Sequence, residues 1–94
     1  MTRVRIAVPA ADDLRTIRAY IARDSNTAAG AVVQRIRESI GHLRRHPELG
    51  RLGRITGTRE LVVAGLPYLV IYRLNDSTVE VLRVLHAAQE WPPS

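Results

Sequence analysis

Apolar positions along the chain change period twice, and each change predicts an element boundary. Residues 4–8, VRIAV, alternate, with Val4, Ile6 and Val8 on one side and Arg5 and Ala7 on the other. That pattern predicts a strand stopped by Pro9. From residue 10 to about residue 23 the spacing becomes helical: Leu14, Ile17 and Ile21 share a face, and Asp12 and Asp13 are expected in the first turn, where the helix dipole favours anions. The turn DSNT at 24–27 is rich in capping residues, with Asn26 or Thr27 as the expected N-cap of a second helix. Its stripe is Val32, Val33, Ile36, Ile40 and Leu43, and it is expected to end near His46, before Pro47. PELGRLGRITGT, residues 47–58, has three glycines and no sustained period and reads as a loop.

Beyond that loop three strand-length apolar runs follow. RELVV (59–63), YLVIYRL (68–74) and TVEVLRVL (78–85) are separated only by AGLP and NDS, which predicts an antiparallel meander of two hairpins. The fold class is α+β in the order β-α-α-β-β-β, one domain over residues 1–94, with the N-terminal strand completing the sheet. The middle strand is apolar on both faces: Leu69 and Ile71 point one way, Tyr68, Val70 and Tyr72 the other. One helical hairpin covers one face. The second is left to the chain's own tail, which carries Trp91, or to a partner segment lying in an open apolar groove.

Composition narrows the function classes. A chain of 94 residues, 46% apolar and 24% charged, is globular with a thin core. With no cysteine, disulfides and thiolate metal sites are excluded. The start, MTRVRIAVPAADD, reaches acids before building an apolar run, unlike a signal peptide. The longest apolar stretch, LVVAGLPYLVIY, is interrupted by Gly65 and Pro67 and falls short of the roughly 20 residues of a membrane helix. A soluble cytoplasmic protein without a membrane partner is expected. All fourteen basic residues are Arg, the net charge is +5 and the pI is near 11.0, which points to an acidic partner. Guanidinium forks suit phosphate and carboxylate, although codon bias in a GC-rich genome produces the same preference.

Few residues are left for chemistry. Gly50, Gly53 and Gly57 lack dinucleotide spacing, and a P-loop would need a Lys. Glu38, His42 and His46 stand at i, i+4 and i+8, but a fourth ligand is missing and His is favoured at a helix C-terminus anyway, so neither a metal nor a cofactor is expected. No Ser or Cys nucleophile motif occurs. Arg59, Arg73, Arg83 and His86 remain. They could form a phosphate site, with the arginines stabilising developing charge and His86 moving a proton. Ion pairs and a loop hydrogen bond account for the same residues.

The segments PAADDLRTIRAYIARDSNTAA, HPELGRLGRITGTREL, PYLVIYRL and VEVLRVLHAAQEWP resemble the RelE/ParE superfamily of bacterial toxins, in the right order and over nearly the whole chain. GTREL and RVLHAAQEWP are the most specific parts. The resemblance implies the toxin half of a type II toxin-antitoxin module of the plasmid-stabilisation type. A cognate antitoxin with an acidic, partly disordered C-terminal segment would neutralise it in a hetero-oligomeric complex, with Tyr68, Val70 and Tyr72 as candidate contacts. Two activities occur among such toxins. ParE-like members poison DNA gyrase, whereas RelE-like members cut messenger RNA on the ribosome. Several ribonuclease relatives carry Arg directly after the aromatic that opens the middle strand, where this chain has Leu69, and they tend to use Lys in the preceding loop. VIYR followed by RVLH resembles the ParE-like members. Gyrase poisoning is therefore the expectation, with Arg83, His86 and Trp91 as candidate target contacts. RNA cleavage by His86, Arg83, Arg59 and Arg73 is the alternative, and a degenerate member that only binds antitoxin the third reading.

Overall fold

Pro9 starts a helix instead of only ending a strand. In the computed structural model, which describes residues 2–93, β1 is Arg3–Ile6 and α1 is Val8–Ala22, with Ala7 as N-cap and Pro9 in the opening turn. A helix's first N–H groups have no internal partner, so proline's missing N–H is harmless there and its fixed φ suits the turn. Val8 consequently leaves the strand and is 72% exposed. Asp12 and Asp13 fall beyond the first turn, which has no acid. The second helix, α2 (Asn26–His42), is capped by Ser25, one residue ahead of the expected positions: its backbone is extended and its hydroxyl accepts the Ala28 N–H at 3.1 Å. The helix closes at His42, earlier than expected, although Leu43 just past it is still fully buried.

Four further strands follow: β2 (Arg51–Leu52), β3 (Arg59–Val62), β4 (Tyr68–Asn75) and β5 (Thr78–His86). They form one sheet in the order β1-β5-β4-β3-β2, with β1 parallel to β5 and every other pair antiparallel. The meander is as expected from the short connections. β2 is the addition, and two residues are too few to show a period. It is held by the Gly53 N–H donating to the Thr58 carbonyl at 2.8 Å, and a side chain at Gly53 would collide with Thr58.

Both helices pack on one face of the sheet. Ala10, Leu14, Ile36, Ile40 and Leu43 meet Tyr68, Val70 and Tyr72 of β4 and Val79, Val81 and Val84 of β5. Tyr68, Val70 and Tyr72 therefore do not form an open face: they are 7%, 0% and 0% exposed beneath the hairpin. The Tyr72 hydroxyl donates to the Pro47 carbonyl at 2.8 Å and accepts the Gly50 N–H at 2.9 Å, tying down the chain after α2. Burial raises the pKa of that phenol, against the lowering effects of the Gly50 N–H and Arg59.

One irregularity re-aims β5. Ile71 pairs with Arg83 but Tyr72 pairs with Val81, so Leu82 is an extra residue, a β-bulge. The core face thus takes Val79, Val81 and then Val84, while Arg83 and Leu85 turn to the second face. There Leu69, Ile71 and Leu85 are buried against Trp91. The chain's own tail covers the second face, correcting the expectation of an open groove. Among the described residues no helix is long and apolar enough to cross a membrane.

Candidate functional site

The end of β5 outruns its neighbour. β1 accompanies β5 only from Thr78 to Val81, beyond which the N–H groups of β5 on that edge have no strand to donate to. α1 passes there, and Asp13 accepts the Val84 N–H at 2.8 Å. The same carboxylate receives Arg83 in a two-point fork, Nε at 2.7 Å and Nη2 at 3.0 Å. This hydrogen bonding raises the Arg83 pKa against the opposing effect of burial. The guanidinium carbon lies 5.9 Å from the Trp91 ring centre, within cation-π range. Arg83 therefore answers both a strand edge and the tail.

A second arginine holds the tail from the other side. Arg54 Nη1 donates to the Trp91 carbonyl at 2.9 Å, and the Arg54 backbone N–H donates to Glu60 at 3.0 Å. Glu60, only 2% exposed, also accepts Arg51 Nη2 at 3.1 Å. Burial alone would raise this carboxyl, but the Arg54 N–H, the Arg51 hydrogen bond and the two guanidinium charges outweigh it and hold the pKa below the usual value. The Trp91 Nε1 is buried with no hydrogen-bond partner among the described residues.

His86 sits where β5 meets the tail. Its ring stands edge-on to Tyr68, centroids 5.6 Å apart, and its Nδ1 accepts the Ala88 N–H at 3.0 Å. Backbone and side chain of Gln89 bond the His86 carbonyl and N–H at 2.9 and 2.8 Å, so AAQ forms a tight turn. With Nδ1 accepting from the Ala88 backbone, Nε2 is the ring nitrogen left for other partners. His86, Tyr68 and Gln89 line a cleft of about 300 Å³ with Thr16, Ile17 and Tyr20 of α1. Burial, and then Tyr20, raises the Tyr68 pKa.

The four residues singled out for phosphate chemistry do not converge. Arg59 points to the helix side, donating to the Gly50 carbonyl at 2.8 Å and lying 3.6 Å from the Glu48 carboxylate. Arg73 shares Glu80 with Arg5, at 2.7 and 3.0 Å. Arg83 is held by Asp13, and His86 faces the tyrosine cleft. Nor do Glu38, His42 and His46 form a metal group: α2 ends at His42, and no cluster of three potential ligands occurs among the described residues. Sequence reasoning missed Asp13, Glu60, Tyr20 and Gln89. An acid inside the apolar strand RELVV was the available signal for Glu60. Nothing in the spacing ties Asp13 to a strand 70 residues away.

A strand, a helical hairpin laid on one face, and then strands completing one sheet is the α+β architecture of the RelE/ParE class of toxins. Among solved structures, the chain superimposes on a chromosomal ParDE TA system from P. aeruginosa with a TM-score of 0.82 at 25% identity, covering 92% of this chain and 96% of that one. The family model for the ParE toxin of type II toxin-antitoxin system, parDE, matches residues 4–91. The chain belongs to that ParE toxin family. It is 46% identical over 90 residues to the putative toxin Y4kP of Sinorhizobium fredii, spanning 96% of this chain and 93% of that protein. It is also 40% identical over 77 residues to toxin RelE2 of Caulobacter vibrioides, spanning 82% and 85% respectively.

Proposed function

We propose that this type II toxin arrests growth in the cytoplasm by poisoning DNA gyrase, and that a cognate antitoxin with an acidic C-terminal segment neutralises it. The engagement of the arginines carries the choice of target. A ribonuclease needs cations at the scissile phosphate beside a group that moves a proton. Here Arg59, Arg73 and Arg83 are each held by internal partners, and tyrosines, Thr16, Ile17 and Gln89 line the His86 cleft. The ParE match over residues 4–91 supports the same reading. Poisoning requires a shaped surface and no proton transfer, and Arg83, His86 and Trp91 supply one at the tail. For the antitoxin, the net charge of +5 supports an acidic partner. Of Tyr68, Val70 and Tyr72, only Tyr68 lines an accessible cleft.

The test gives the purified chain to gyrase with relaxed plasmid, and separately to translating ribosomes with message. Lost supercoiling or trapped cleaved DNA, with intact message, is expected. Codon-specific cuts with unaffected gyrase would overturn the choice. The ribonuclease reading draws on the free Nε2 of His86 and on the relative named RelE2. If it holds, His86→Ala loses about 10² to 10⁴ in cleavage rate. Production of the toxin alone should halt growth, and co-production of its antitoxin should restore it.

A further inference from the structure

Seven arginines hold a carboxylate within the described residues, and Arg35 donates to the Ala64 carbonyl. Three that do not, Arg37, Arg44 and Arg45, gather with His42 and His46 at the C-terminal end of α2. They line two adjoining concavities, of about 420 and 220 Å³, that share Gly41 and Arg44. None of these residues belongs to the His86 cleft or the tail. A helix C-terminus attracts cations, but its dipole amounts to roughly half a negative charge, too little to offset three guanidiniums. Glu38, one turn before His42, forms no ion pair among the described residues, and Glu48 lies against Arg59.

Gly41 is a second, independent observation. Within a helix glycine is less favourable than alanine, because its backbone loses more freedom on ordering. Gly41 is exposed, lacks a positive φ, and a Cβ built there meets nothing within 4 Å. Unlike Gly53, Gly41 has no neighbour that a side chain would strike; Gly30 of the same helix shares that property, but only Gly41 of the two lies where the concavities meet. What the missing side chain does is keep the floor shared by the two concavities low, between the arginines.

We infer that this concavity docks the phosphate backbone of double-stranded DNA without reading its sequence. The larger concavity is lined by Gly41, His42, Arg44, Arg45 and His46, with no Tyr or Trp to stack unpaired bases, and the aliphatic side chains of the smaller one, Val4, Ile6 and Ile40, are already packed in or against the core. Guanidinium forks around an open floor match phosphate oxygens that approach from outside. The surface is separate from the choice between gyrase and message: it supplies the toxin with its own hold on DNA whichever target the tail engages.

Fluorescence anisotropy of the full chain with a 20-base-pair duplex of random sequence tests this across about 50 to 200 mM salt. Binding should weaken with salt at a logarithmic slope of about −0.9 for each phosphate contacted. The triple change R37Q/R44Q/R45Q should weaken binding at least tenfold and flatten the slope by about 2 to 3. R15Q/R18Q/R23Q, on α1 and at its C-cap, removes the same charge elsewhere and should change affinity by less than about threefold. Gly41→Ala should raise the melting temperature while weakening DNA binding, opposite signs that a merely structural glycine would not produce. An equal loss in the α1 variant would reduce the effect to net charge and overturn the site. Tighter binding of single-stranded RNA of the same length would assign the surface to RNA, and displacement of the duplex by polyglutamate at equal charge would assign it to an acidic protein; either overturns the DNA reading. Unchanged DNA affinity in Gly41→Ala would overturn the part given to the glycine.

Discussion

The two faces of the sheet are built on different principles. The helix side buries a continuous cluster from Ala10 to Val84 in which every member is aliphatic or tyrosine. On the opposite side the buried apolar cluster is just Leu69, Ile71 and Leu85 among the described residues, beside the buried carboxylate of Glu60, and its cover is one half-buried Trp91 held at its edges by Arg54 and Arg83. The first face is stabilised by area removed from water, which is non-directional and large. The second depends on a few charge-assisted hydrogen bonds whose removal leaves polar groups unpaired. One face keeps the fold, and the other carries the strap that we propose as the target-binding surface.

Mutations on each face should separate these roles. The largest stability effect is expected from Tyr72→Ala, which empties the middle of the helix-side core and orphans the Pro47 carbonyl and Gly50 N–H. A loss of about 3 to 5 kcal/mol in urea unfolding is expected, enough to leave little folded toxin. Next comes Asp13→Ala. It strips the Val84 N–H and the Arg83 fork together, for about 1.5 to 3 kcal/mol, and a double-mutant cycle with Arg83→Ala should show strong coupling. Additive losses would mean that the pair does not act as one clamp.

Trp91→Ala should cost less, about 1 to 2 kcal/mol, since only part of the indole is removed from water. Its growth-arrest activity should nevertheless fall further than that of a core variant matched for stability. Equal toxicity at equal stability would make the tail a cover and nothing more.

The smallest effect is a dependence on pH. Because Glu60 has a folded-state pKa below its unfolded one, its contribution is complete above about pH 4.3 and drains away as pH falls through the folded value. Melting temperatures of the wild type and Glu60→Gln should therefore differ most near neutrality and converge on acidification. A gap that stays constant down to about pH 3 would show that the arginines around Glu60 do not favour its charged form.

How much of this was legible depended on the range of each interaction. The helices and the meander could be read because period 3.6 recurs from Leu14 to Ile21 and again from Val32 to Leu43, and because residues 59–63, 68–74 and 78–85 are strand-length apolar runs separated by short turns. Boundaries failed where a single residue decides. Pro9 fits both the end of a strand and the start of a helix, and Ser25, Asn26 and Thr27 are all competent caps. The bulge at Leu82 was visible as a broken alternation around Arg83, yet without the pairing partner the break could not be told from a strand end. For the site, His86 and Arg83 stood out by type, and Trp91 by rarity. Their partners did not, since Asp13 and Glu60 are ordinary acids until the fold places them against a strand edge and a loop.

From the sequence alone came the element types, the two-sided middle strand, the basic charge and the resemblance to a toxin family, because each is carried by composition or by neighbours a few residues apart. Only the tertiary structure decided which face of β4 the helices take, that the tail covers the other, and that Arg59, Arg73 and Arg83 are claimed by separate partners. A local pattern says that a residue will be buried or charged. Which of nine carboxylates meets which of fourteen arginines depends on contacts across as many as 70 residues, and no local period encodes those.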